Sequence, residues 1–186
     1  RGIRRVMDII TRNFFQLLQM GVLDEHGQVE PMSAFKWRRL GQMVHVQHVE
    51  RQAVSGLDRL DERERARIPK DFIGHVVPFD QPDSDAMLSN RWLNSRLRHI
   101  REKELHAIDI NIGALDVLSI IVSTVSSMLN HGTMLRGILQ LGSYLREKGD
   151  KVDFVKLDNW LKKLHLRRMA QLEGSMLIVV FHFEKD

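Results

Sequence analysis

The chain holds 186 residues, 43% of them apolar, with 28 Lys and Arg against 24 Asp and Glu and no cysteine. That length suits one domain, or at most two small ones, and buries roughly 70% of the surface its unfolded form exposes, so a core forms without a covalent staple. The lack of cysteine excludes thiolate metal sites and cysteine nucleophiles and fits a reducing compartment such as the cytoplasm, while a net charge of +4 does not by itself demand a nucleic-acid partner.

Residues 1–5 are basic, but Asp8, Thr11, Arg12 and Asn13 interrupt the next stretch, so no signal peptide is expected. The chain begins without Met and stops just after an apolar run, and it is expected to be trimmed at both ends. Val6, Ile9, Ile10, Phe14, Leu17 and Leu18 recur at three-and-four spacing and form one helical stripe, with Gly21 as its stop. After a polar turn, Ser33 offers an N-cap for a helix carrying Trp37, Leu40 and Val44. A break falls at 45–48, and a shorter helix with Val49, Ala53 and Leu57 comes next. The mixed-charge run 61–65 reads as a solvated helix face.

Three prolines, at 69, 78 and 82, and Gly74 make 68–82 the best connector, between a helical part at 1–67 and a bundle at 83–186 within a single domain spanning 1–186. This stretch holds one short strand near 72–77, or none. A long helix opens at Pro82 or Asp83, with Leu88, Trp92, Leu97, Ile100, Leu105 and Ile108 on its apolar stripe and arginines outside. Asp109 or Asn111 caps the next helix, from Leu115 to Leu129, which is apolar nearly all round and belongs at the centre of the core. Gly132 ends it, Thr133 caps a helix that Gly149 ends, and Asp153 caps another carrying Leu157, Trp160, Leu161 and Leu164. Residues 166–183 suit either helix or strand, and length favours helix. No run reaches the ~20 residues of a membrane span, the longest candidates being 120–125 and 176–181. The expected fold is an all-α bundle of about seven or eight helices.

Chemistry-bearing patterns are sparse. Asp83 and Asp85 have the two-residue spacing of a metal-holding carboxylate pair, but proline and serine surround them, and acids at a helix start complement its dipole. His45 and His48 sit three apart with Glu50 just beyond, and His99 and His106 lie seven apart on one face; both pairs lack a third ligand and read as surface or capping histidines. No Gly-x-Ser-x-Gly, P-loop or dinucleotide fingerprint occurs, and nothing near Ser175 organises it as a nucleophile. Lys162, Lys163, Arg167 and Arg168 straddle a joint, His165-Leu166, between two helices. That arrangement has the outline of a helix-turn-helix able to reach phosphates, but the turn lacks a small residue and the second helix is apolar, so a solvated face is the preferred reading. Arg1, Arg4, Arg5 and Arg12 form a second basic face with the same preferred reading.

The strings Phe14-Phe15-Gln16-Leu17-Leu18, Trp37-Arg38-Arg39-Leu40 and Val46-Gln47-His48-Val49 at the front resemble the opening helices of an uncharacterised bacterial nucleotidyltransferase-like family. Gly137-Ile138-Leu139-Gln140-Leu141-Gly142-Ser143-Tyr144-Leu145-Arg146, then Gly149-Asp150-Lys151-Val152-Asp153-Phe154 and the helix at 157–164, resemble its closing region. The resemblance covers about half of the chain. It implies a strand-bearing core between these flanks that supplies a Gly-Ser turn and paired carboxylates. Neither is recognisable in this sequence, so no catalytic residue carries over. The expected function is non-catalytic, through contact with a protein partner or a second copy, without cofactor, metal or membrane. A rearranged nucleotide site is one alternative. Nucleic-acid binding through Lys162, Lys163, Arg167 and Arg168 is the other.

Overall fold

The computed structural model describes residues 7–75 and 87–183, and the protein is an all-α fold with no strand among them. Ten α-helices and a 3-10 turn occur there, against the seven or eight helices expected. The two additional ones are short, five and six residues long, and fall where the sequence shows only charge and a proline. Backbone contacts divide the chain between Gln81 and Pro82 into two compact units, with Val180–His182 grouping with the first.

In the first unit, α1 (Ile9–Leu23) starts at Asp8, whose carboxylate accepts from the Thr11 N–H at 2.9 Å. It runs past Gly21, the expected stop, because the left-handed residue that closes it is Asp24, with φ 60°. Gly21 and Gly56 instead let α1 and α3 (Glu50–Asp58) meet backbone to backbone. A Cβ on Gly21 would lie 2.8 Å from the Gly56 nitrogen, and one on Gly56 would lie 2.8 Å from the Leu17 carbonyl carbon. The Ser55 hydroxyl donates to the Gly21 carbonyl at 3.1 Å across the same crossing. Asn13, buried on α1, accepts from the Glu30 N–H and donates to the Glu30 carbonyl, each at 2.8 Å, and so ties the polar loop down as a strand neighbour would. α2 (Ala34–Val46), capped by Ser33, buries Trp37, Leu40 and Val44. α4 (Glu62–Ala66) is capped by Asp61, as befits the solvated run. Residues 72–75 belong to α5 (Lys70–His75), so of the two readings of 72–77 the one without a strand holds at those positions; 76 and 77 lie outside the described residues. The physical reason is that Phe72 locks against the Trp37 ring at 5.1 Å, whereas no strand among the described residues is there to take a ladder.

In the second unit, α6 (Arg91–Leu105) opens at Asn90, whose side chain accepts from the Trp92 N–H at 2.8 Å. The helix therefore starts well after Pro82 and Asp83, which lie outside the described residues. Its buried stripe is narrow, comprising Leu97, Ile100 and Glu104. Trp92, Leu105 and Ile108, placed on the core stripe by periodicity, are instead exposed. α7 (Ile112–His131), capped by Asn111 and closed by Gly132 at φ 67°, is the central element, as its all-round apolarity requires. At 20 residues it is, by length and composition, the one helix among the described residues able to cross a membrane, contrary to the shorter run read at 120–125. Half of its most apolar stretch is buried. Leu129, in its last turn, is exposed.

α8 (Leu135–Lys148) begins after Met134 rather than Thr133, with no side-chain cap. Gly149 does not turn left-handed; the chain tightens into a 3-10 turn, Gly149–Lys151. α9 (Phe154–Lys163) is capped by Asp153, which accepts from the Val155 and Lys156 N–H groups at 3.0 Å. The final segment resolves as a helix, α10 (Arg167–Val179), and the joint before it is one residue longer than expected, Leu164-His165-Leu166.

Candidate functional site

The best-formed cleft among the described residues, lined by Val29, Glu30, Pro31, Trp37, Glu64 and Ile68, encloses about 50 Å³. That admits a few waters, while substrate pockets run to several hundred Å³. The histidine pairs do not converge on a cation. His48 leaves the helix at φ 53°, the His45 and His48 rings meet edge to face at 6.3 Å, and His45 Nδ1 sits 3.0 Å from the Glu50 carboxylate. His106 closes α6 by donating from Nδ1 to the Glu102 carbonyl at 2.7 Å, so it no longer shares a helix face with His99. Among the described residues no three of His, Asp and Glu gather to hold a metal. The Ser175 hydroxyl is spent on the Gln171 carbonyl one turn back. Tyr144 donates to Asp116 at 2.8 Å, and burial, then the Asp116 carboxylate, pushes its phenol up to about 12, the wrong direction for a base. Asp83 and Asp85 lie outside the described residues.

Two surfaces of the second unit are built with more care. At one end, the Lys156 ammonium donates to Glu104 at 2.9 Å and to the Asp109 carbonyl at 2.6 Å, and lies 3.1 Å from the Asp109 carboxylate. Glu104, itself buried, also accepts from the Asn111 N–H at 2.7 Å. Asn111 in turn donates to the Lys151 carbonyl and accepts from the Asp153 N–H. The Glu104 carboxylate holds the Lys156 ammonium above its ordinary value, with Asp109 adding to it. The whole connection from α6 to α7 is thereby fastened to the start of α9. Its display is apolar: Ile108 is fully exposed, Leu105, Ile110 and Ile112 are exposed close to it in the chain, and Phe154 and Val155 are exposed at the start of α9.

The second surface is the cationic joint. Lys162 and Arg167 converge on one carboxylate, Asp158, at 2.8 and 3.0 Å. The Lys162 ammonium, then the nearby Arg167, holds Asp158 below the usual carboxylate range. These two cations therefore share one negative charge, which leaves the trio net positive by one, and Lys162 also complements the carboxyl end of α9. Lys163 and Arg168 are exposed, with no ion pair to another described residue. His165 supplies the left-handed turn, φ 55°, in place of the small residue that such a joint ordinarily uses. Of the N-terminal basic face, Arg12 is closed by a two-pronged pair to Glu30 at 2.6 and 2.9 Å; Arg1, Arg4 and Arg5 lie outside the described residues.

Sequence reasoning missed Glu173. It is fully buried, both carboxylate oxygens lack a hydrogen-bond partner, and burial pushes it up to about 8. The signal was available: the buried residues of α10 are Glu173 and Leu177, one position off the Leu172 and Met176 stripe that hydrophobicity picks out. Comparison with protein-family models, with curated proteins and with solved structures finds no match.

Proposed function

We propose that this protein acts without catalysis, as an assembly module that binds a second copy of itself through the apolar end of its second unit. The observation that carries this reading is the rigid display of Ile108. Exposed isoleucine on a slack loop would be unremarkable. Here the ion pairs of Lys156 and three backbone ties hold the loop in one conformation, with Ile110 and Ile112 exposed next to it in the chain and Phe154 and Val155 exposed at the start of the helix it is tied to. Pre-ordering a loop lowers the entropy cost of docking, and contiguous exposed apolar surface is itself a mark of contact sites. The rim is mixed in sign, with Lys103 and Lys151 near Asp109 and Asp150. A two-fold contact sets this patch against its own copy, and a rim carrying both signs lets opposite charges pair across it.

Light scattering at about 100 μM protein tests it, since even weak self-association shows there. The wild type is expected to run as a dimer. Ile108→Asp together with Phe154→Asp should give a monomer with an unchanged melting temperature, because both side chains are exposed. A wild type that stays strictly monomeric overturns the reading.

A further inference from the structure

The cations of the second unit are segregated. Residues 91–101 and 162–172 hold eight of the 28 lysines and arginines and none of the 24 acidic residues, so the rest of the chain is net negative. The fold brings these two segments together. The Arg96 guanidinium donates to the Lys163 carbonyl at 3.1 Å, and Lys156 meets Glu104 at 2.9 Å. These ties set α6 and α9 antiparallel, since Lys156 lies opposite Glu104 and Lys163 opposite Arg96. The Arg96 bond thus places the last turn of α9 against α6, one helical turn from Trp92.

Trp92 is 81% exposed, while Trp37 and Trp160 are buried. It lies one helical turn, about 6 Å, before Arg96 on the same flank, with His99 one turn beyond. Exposing an indole to water forfeits the burial that an aromatic side chain ordinarily gains. A flat aromatic face beside unpaired cations is the chemistry that holds a single-stranded nucleic acid, with a base stacked on the ring and phosphates on the cations. We infer that Trp92, Arg96, Lys163, His165 and Arg168 form a binding site for single-stranded nucleic acid. Duplex DNA suits the surface less well. Its bases are already stacked and offer Trp92 no free face, and Lys162 and Arg167 are drawn back onto Asp158 from the start of what would be a recognition helix.

The test is binding of a fluorescein-labelled oligothymidylate of about 20 nucleotides, read by anisotropy and by quenching of tryptophan fluorescence. Because the other two tryptophans are buried, stacking should quench Trp92 selectively, and Trp92→Phe should abolish the quench while retaining most of the affinity. The site's three Lys and Arg side chains, each on a phosphate, predict roughly 20-fold weaker binding between 50 and 200 mM salt. Lys163→Glu with Arg168→Glu should weaken binding at least about tenfold, and Trp92→Ala by a comparable factor. All three side chains are exposed, so unchanged melting temperatures keep the comparison clean. Absence of binding at 50 mM salt overturns the inference. So does duplex DNA bound equally well without quenching, or an acidic peptide or anionic vesicle that competes as well as the oligonucleotide.

Discussion

The two units dispose of their surfaces in opposite ways. The first closes on itself: helix backbones touch at Gly21 and Gly56, Asn13 clamps the polar loop, and Arg12 is matched by Glu30. Its exposed large apolar residues are few, Phe35 and Val46 among those described. The second unit displays Trp92, Leu105, Ile108, Ile110, Ile112, Phe154 and Val155, and buries Glu173 with neither carboxylate oxygen partnered. The lesson is that stability and surface chemistry are kept on separate stretches of chain. One unit is built around close packing. The other tolerates costs that packing alone would remove, which is the usual mark of a surface kept for binding.

The largest expected effect breaks the closed unit. Alanine is a better helix former than glycine by about 1 kcal/mol, so propensity alone favours Gly56→Ala. The added Cβ, however, meets the Leu17 backbone, which cannot rotate away as a side chain would. The clash should win, costing about 4 kcal/mol or more and separating α1 from α3. Urea unfolding followed by circular dichroism measures it. A variant as stable as wild type would show that the two backbones do not meet.

Glu173 gives the next largest effect, with the opposite sign at high pH. Its folded value lies near 8, while the unfolded chain titrates near the ordinary 4.5. Between those values the folded state keeps a proton that the unfolded state has released. Stability is therefore full below about pH 4.5 and falls as pH rises toward 8. Glu173→Gln removes the titration. At pH 5 the two proteins should be similar, and at pH 9 the variant should be more stable by about 4 kcal/mol. Carboxylates held low by cations, such as Glu30, Asp109 and Asp158, lose their contribution only as pH falls through their depressed values, so the two windows do not overlap. Parallel melting curves from pH 5 to 9 would refute the buried acid.

Much of this architecture is legible in the sequence because it is local. Asp153, Ser33 and Asn111 cap their helices through side-chain oxygens within three residues, and the all-round apolarity of α7 has one economical placement. The illegible part depends on partners distant in sequence. Trp92 fits a core stripe by spacing, and only the placement of α6 on the narrow face of Leu97 and Ile100 leaves it outside. Lys156 reads as one more surface lysine until Glu104 and Asp109, 52 and 47 residues earlier, close around it. Composition finds the cationic joint, but it cannot say that Asp158 pairs with Lys162 and Arg167 and not with Lys163 and Arg168.

The smallest effect tests whether the open unit's display rests on local order. Asp153 accepts two N–H groups at the start of α9, directly before Phe154 and Val155 and within one turn of Lys156. Asp153→Ala leaves those donors to water and should cost about 1 kcal/mol, whereas Asp153→Asn, an equally good cap, should cost little. The consequence reaches beyond stability. If the first turn of α9 frays, Lys156 loses its fixed place between Glu104 and Asp109, and the loop bearing Ile108 is released. Amide exchange across residues 107–112 should then quicken in Asp153→Ala and not in Asp153→Asn. Unchanged exchange in both variants would mean that the loop holds its shape without α9, and the rigid apolar end would need another cause.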